Sequence, residues 1–299
     1  MKFRTLLFSL LIASTPILAQ TAPEPKSLPA NKNGMIKVGT GELYYEMAGN
    51  GPTVVLLHAG LLDSRMWDGQ FESLAKKFTV VRYDARGHGK SSVPDGPFAH
   101  FKDLQLLLNG LGIKKATLVG LSLGARTALD FALAYPDMVE AIVAVSPGAS
   151  GVDFKDAVIL EDMKGSQEAI KKQDWDGFIE FFQRAWTDGP KRQPSDVDPA
   201  VRERVRVMAR ENLEKGRSAK GRIAELGAFP RLAELKVPIL VIVGQLDSSD
   251  IHAVADALVE KANAKKVVVE GAGHMVNLEK PKEFDRLVAE YLANLPSRS

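Results

Sequence analysis

The chain has 299 residues, 45% of them hydrophobic and 25% charged, which is enough for one large α/β domain or two modest ones. Its 39 basic and 37 acidic residues nearly cancel, and the two residual positive charges are matched by Lys2 and Arg4 in a leader-like segment, so a neutral body leaves no electrostatic footprint for nucleic acid. Cysteine is absent, which excludes disulfides, thiolate metal sites and lipid attachment at a cysteine.

The N-terminus reads as a secretory leader. Lys2 and Arg4 precede an almost unbroken apolar run, Leu6 to Ile12, and Ser14 to Pro16 interrupts it before Ile17-Leu18-Ala19. Residues 1–19 are therefore expected to be a signal peptide, with an apolar stretch too short to span a bilayer. The mature protein is expected to be exported, periplasmic or secreted from a bacterium, with no stable membrane insertion once the leader is gone. Residues 20–34, rich in Pro, Ala, Asn and Lys, are expected to form a flexible lead-in.

A β-rich start follows: Met35 to Val38, a Gly39-Thr40-Gly41 turn, then Glu42 to Met47. From Thr53 the pattern changes to short continuous apolar runs, as expected for strands covered on both faces. Thr53–Leu57, Thr79–Tyr83, Ala116–Val119 and Ala141–Val145 are such strands, and helices are expected over Asp63–Phe78, Phe101–Leu111 and Ala125–Ala134. Strand alternating with helix implies a parallel sheet with right-handed crossovers. The alternation stops near residue 150, and residues 151–235 are polar, helical in pattern and interrupted by Gly189-Pro190 and Pro194. Strand Pro238–Val243, a helix, strand Lys266–Val269 and a last helix, Lys282–Leu292, complete the chain. The expected fold is α/β: a mostly parallel sheet of the eight-stranded type with helices on both faces. Its core is residues 35–150 and 236–299, and residues 151–235 form an inserted helical cap.

Gly120-Leu121-Ser122-Leu123-Gly124 stands directly after one of these strands and directly before a helix. A serine aimed outward from so sharp a turn has strained backbone angles, and side chains two residues either side of it collide; glycine at both positions removes the clash. The same turn puts the N–H of Leu123 at a helix start, where it can stabilise an oxyanion. A serine nucleophile needs a base and a group to orient that base. His274, in Gly271-Ala272-Gly273-His274 after the last strand, supplies the first; Asp247, just beyond strand Pro238–Val243, supplies the second, with Asp250 as the alternative acid. The loop His58-Ala59-Gly60-Leu61 is where a second oxyanion donor is expected, the N–H of Gly60, with His58 holding the loop by hydrogen bonding.

Together these features resemble the α/β-hydrolase fold family, in particular its cap-bearing serine esterases, lactonases and cofactor-free haloperoxidase-like members. Further motifs carry the resemblance: Asp84-Ala85-Arg86-Gly87-His88-Gly89-Lys90-Ser91 is similar to the family's D-x-R-G-x-G-x-S loop, and His274 with Glu279 and Pro281 to its C-terminal G-H-x-x-x-x-E-x-P stretch. One departure is Ala59, where the family commonly has Gly; alanine fits if its φ is negative. Ser122, where relatives that dehalogenate alkanes or open epoxides carry Asp, argues against those reactions.

The resemblance implies an acyl-enzyme mechanism on a small-molecule ester or lactone, with no cofactor and no metal. A C–C, amide or thioester hydrolase with the same triad, or a non-catalytic binding module, are the alternatives. Candidate pocket residues are Leu61, Trp67, Trp175, Trp186 and Met275. The aromatic stripe Trp175, Phe178, Phe181, Phe182 and Trp186 is open to two readings, cap packing or pocket lining. So is the basic run Arg202, Arg204, Arg206, Arg210, Lys215, Arg217, Lys220 and Arg222: a solvated helix face, or attraction of an anionic substrate. The sequence does not indicate an oligomeric state.

Overall fold

The structure, a computed structural model, describes residues 32–295. The expected leader at residues 1–19 and residues 20–31 of the lead-in lie outside these. Strand β1 spans Lys32–Val38, so Lys32, Asn33 and Gly34 belong to the sheet rather than to a flexible lead-in. The cause is tertiary: β1 pairs antiparallel with β2 (Gly41–Ala48), from Lys32 opposite Met47 to Val38 opposite Gly41, so these residues gain ladder partners.

The remaining strands are β3 (Thr53–Leu57), β4 (Thr79–Tyr83), β5 (Ala116–Leu121), β6 (Val139–Val145), β7 (Ile239–Gly244) and β8 (Lys265–Val269). They form one eight-stranded sheet in the order β1-β2-β4-β3-β5-β6-β7-β8. β2 meets β4 antiparallel, and every pair from β4 to β8 is parallel.

The two-residue period of a strand sorts its side chains between two cores. Val55 and Leu57 face one, with Leu104 and Leu108 of α2 (His100–Gly110), Leu129 of α3 (Leu123–Ala134) and Leu258 of α7 (Ser249–Ala262). Val54 and Leu56 face the other, with Phe71 of α1 (Asp68–Leu74) and Phe284 and Val288 of α9 (Pro281–Ala293). A sheet covered on both faces explains why its strands read as continuous apolar runs. The single helix expected over Asp63–Phe78 is instead a 3-10 turn, Ser64–Trp67, opened by the Asp63 side chain on Arg65 N–H, followed by α1.

Between β6 and β7 the chain leaves the sheet. There it forms α4 (Ala157–Lys172), α5 (Trp175–Gln183), a π-helical turn (Arg184–Asp188) and α6 (Pro199–Gly216). The 3-10 turn Phe229–Glu234 then returns it, with Leu232 buried in the first core. A short helix α8 (Val276–Glu279) precedes α9. Among the described residues no helix is long and apolar enough to cross a membrane.

Candidate active site

The parallel strands end on one rim, and the turns beyond them carry the candidate residues. Ser122 sits between β5 and α3 at φ 55°, ψ −106°, a left-handed conformation costly for a residue with a side chain. The surroundings enforce it. A Cβ at Gly120 would collide with the backbone of Gly124 and Ala125, and one at Gly124 with the Leu57 carbonyl, so only glycines let helix and strand approach this closely. Ser122 N–H donates to Val145 O at 3.0 Å, which ties the turn to β6.

Leu123 is the first residue of α3, so its N–H has no acceptor within the helix. Across from it, Gly60 lies close enough that an added Cβ would sit 3.9 Å from the Leu123 side chain. The loop carrying Gly60 is fixed at several points. His58 Nε2 accepts Ala85 N–H at 2.8 Å while its Nδ1 contacts Ala59 O at 2.8 Å, so the expected structural role of His58 holds. Leu61, at φ 58°, is clamped through its N–H to His88 Nε2 at 3.3 Å and its carbonyl to Asn212 Nδ2 of α6 at 3.1 Å. Burial, reinforced by His58, pushes the His88 imidazole down to about 3, so it stays neutral and Nε2 can accept. Ala59 keeps out of the left-handed region, so an alanine fits there without backbone strain.

His274 is buried, and its Nδ1 lies 2.9 Å and 3.1 Å from Asp247 Oδ2 and Oδ1. A carboxylate only accepts, so Nδ1 carries the proton and Nε2 is left as the acceptor. Asp247 Oδ1 also accepts Ser248 N–H at 2.8 Å. Asp250 is employed elsewhere: its carboxylate accepts Lys155 N–H at 2.9 and 3.0 Å and Asp156 N–H at 2.9 Å, anchoring the segment that enters the insert. The acid beside the histidine is Asp247.

Ser122 and His274 line one cavity of about 280 Å³ with Gly60 and Leu123. No hydrogen bond joins Ser122 Oγ to His274 among the described residues; such contacts commonly tighten only when substrate is bound. Apolar groups form most of the wall, among them the candidate pocket residues Trp186 and Met275. The Trp186 ring lies 4.9 Å from that of His274, tilted by 48°, and 5.7 Å from that of Phe154 at 68°, near edge-on.

Three pocket expectations are corrected. Trp67 is fully buried against Phe284, with ring centroids 5.9 Å apart, and belongs to the core. Trp175 and Leu61 line a separate groove with Asn212 and Arg217, and the Arg217 guanidinium lies 4.4 Å over the Trp175 ring. Phe154, Arg126, Ile251 and Val254 were missed. Of these only Arg126, one helical turn after Ser122 and paired with Glu225, had a legible spacing. None of the basic residues of the insert named above lines this cavity. Arg206 and Arg210 pair with the exposed Glu203 and Asp176, as on a solvated helix face, whereas Arg202 pairs with the buried Asp188 and Arg204 ties α6 to Asp68 of α1.

The D-x-R-G-x-G-x-S loop is structural here. Asp84 accepts Ser64 N–H at 2.9 Å and Lys90 N–H at 2.7 Å, and Arg86 grips the buried Asp103 through two hydrogen bonds, at 2.9 and 2.6 Å.

A model of the alpha/beta hydrolase fold matches residues 52–281. Carboxylesterase YbfK of Bacillus subtilis (strain 168) is 27% identical over 258 residues, covering 81% of this chain and 80% of that one. The 3-oxoadipate enol-lactonase 2 of Acinetobacter baylyi is 27% identical over 227 residues, covering 75% and 82%. The solved enol-lactonase of Burkholderia xenovorans LB400 superposes with a TM-score of 0.68 at 25% identity, over 87% of this chain and all of that one. With a matching family model over most of its length and an eight-stranded sheet of this kind, the chain belongs to the alpha/beta hydrolase fold family, as an enzyme of the hydrolase type.

Proposed function

We propose that the protein is an exported serine hydrolase that cleaves ester or lactone bonds of a small molecule through an acyl-enzyme on Ser122. The observation that carries this is the shared cavity. Ser122, held at positive φ, and His274, whose Nδ1 proton is engaged by Asp247, open into the same space. Ser122 Oγ attacks the carbonyl while His274 Nε2 takes its proton; the imidazolium then protonates the leaving oxygen. The N–H groups of Leu123 and Gly60 donate to the developing oxyanion, each worth about 3–4 kcal/mol of transition-state stabilisation. Water, activated by the same imidazole, releases the acid. No cofactor or metal is needed for these steps.

The apolar wall and modest volume of the cavity favour small acyl substrates. The names of the carboxylesterase and enol-lactonase relatives agree with esters and lactones as the first compounds to assay. The leader-like residues 1–19 support export, which the intact mass of the protein recovered from a culture's periplasm and medium tests directly.

The deciding experiment treats the purified protein with a fluorophosphonate probe beside Ser122→Ala and reads intact mass. One adduct on the wild type and none on the variant establishes an activated nucleophile at Ser122. A folded wild type without an adduct sinks the hydrolase mechanism and leaves a ligand-binding module. Panels of esters, lactones, thioesters and amides then separate the acyl bonds that share a triad.

A further inference from the structure

His274 is held by more than Asp247. Glu279, at the end of α8, accepts Gly273 N–H at 3.1 and 3.2 Å, fixing the Ala272–Gly273 peptide just upstream of the histidine. The other side of that carboxylate is gripped by Arg192 Nη1 at 2.5 Å, and both side chains are 7% exposed. Arg192 comes from the insert, 87 residues away along the chain. Its two other contacts go back to the insert: Nε donates to Asp188 O at 2.7 Å and Nη2 to Thr187 O at 2.8 Å. Those are the last carbonyls of the π-helical turn Arg184–Asp188, which carries Trp186 and lays its indole against the His274 ring.

One planar guanidinium therefore spans both sides of the imidazole. It reaches the backbone before the histidine through Glu279, and the neighbourhood of the ring through the turn that bears Trp186. The guanidinium lies so close to Gly273 that a Cβ there would displace it. The adjacent Lys191 donates to Gln245 O at 3.2 Å, and Gln245 Oε1 accepts Gly271 N–H at 3.1 Å, so the same loop of the insert also touches the turns carrying Asp247 and His274. A lysine could not make the same three contacts: an ammonium is a point charge without the fork that serves carboxylate and carbonyls together.

We infer that Arg192 is a positioning residue through which the insert sets the orientation of His274. The role rests on the hydrolase reading of His274, and its test includes an arm that needs no turnover. Arg192→Met, Arg192→Lys, Glu279→Gln and the double variant Arg192→Met/Glu279→Gln are compared, with Arg206→Met on the exposed face as control. Two quantities are read in each: kcat and KM on the best ester, and the hydrogen-bonded Nδ1–H proton of His274 by NMR, assigned by its loss in Asp247→Asn.

Arg192→Met is expected to lower kcat on the order of 100-fold, the effect of a small misplacement of the base, with KM nearly unchanged, and to weaken or erase the Nδ1–H signal. Arg192→Lys recovers part of both. The double variant loses no more than the worse single one, because both act along one chain of contacts. A folded Arg192→Met with wild-type kcat, or with kcat lost and the Nδ1–H signal intact, overturns the inference, as does additive loss in the double variant. If Arg192→Met does not fold, Arg192→Lys and Glu279→Gln carry the same two readouts. A wild type that takes no fluorophosphonate adduct removes the hydrolase reading alone; the NMR arm still reports whether Arg192 orients His274.

Discussion

Replacing Asp247 by Asn separates the two acids that lie three residues apart. In the structure Asp247 Oδ1 accepts Ser248 N–H at 2.8 Å, and Oδ2 lies 2.9 Å from His274 Nδ1, with both side chains 2% exposed. An asparagine keeps its oxygen on the Ser248 N–H, because its amide nitrogen cannot accept there. The NH2 group then faces Nδ1 and forces it to be the acceptor, which moves the imidazole proton to Nε2. A histidine in that tautomer cannot take the proton of Ser122. The expected loss in kcat is on the order of 10⁴-fold, equivalent to about 5 kcal/mol in the barrier. Steady-state hydrolysis of an aryl ester measures it, and a thermal melt confirms that the fold survives. Asp250→Asn is the counterpart. Its carboxylate holds Lys155 and Asp156 N–H groups and makes no bond to His274, so that variant is expected to lose about 1–3 kcal/mol of stability while kcat stays close to wild type. Wild-type turnover in Asp247→Asn, or collapse of turnover in a folded Asp250→Asn, refutes the assignment of the acid.

Four more expectations follow from the packing. Trp186→Ala removes an aromatic wall of the cavity, so bulkier acyl esters should gain relative kcat/KM by roughly tenfold or more across a chain-length series; an unchanged series would place the acyl group elsewhere. His100 is 6% exposed, and burial, with His58 and Arg126 adding to it, pushes its imidazole down to about 3 from the ordinary 6.5. The unfolded chain then takes up that proton first, so this contribution to stability is complete above the ordinary value and is lost as pH falls toward 3. Urea midpoints should show one proton's slope from this site, roughly 1 kcal/mol per pH unit, that His100→Gln removes. A Cβ at Gly124 would collide with the Leu57 carbonyl, so Gly124→Ala is expected to cost about 1–3 kcal/mol or more. Gly69, exposed in α1 with open space around it, should by contrast gain about 0.5–1 kcal/mol as alanine. Thermal melts of the two variants test both signs.

The sequence by itself determined what local chemistry and chain order dictate. Gly120 precedes Ser122 because a Cβ there would meet the backbone of Gly124 and Ala125, a constraint local to the turn, whereas Gly124 is required by the distant Leu57 carbonyl. The apolar runs marked strands covered on both faces, and their alternation with helices implied the parallel sheet. Serine, acid and histidine in that order, each beyond a strand, placed the candidate site at one rim.

Tertiary structure decided everything that depends on contacts between distant segments. Asp247 and Asp250 look alike in sequence, and only the closing of β7 against the His274 turn separates them. Trp67 and Trp186 looked equally eligible for the pocket; one is buried under α9, while a π-helical turn aims the other at the imidazole. Lys32 to Gly34 became strand because β2 was there to pair with. Arg192 carried no sequence signal at all. Its partners, Glu279 and the carbonyls of Thr187 and Asp188, converge only when the insert folds back over the sheet, and no residue spacing encodes that meeting.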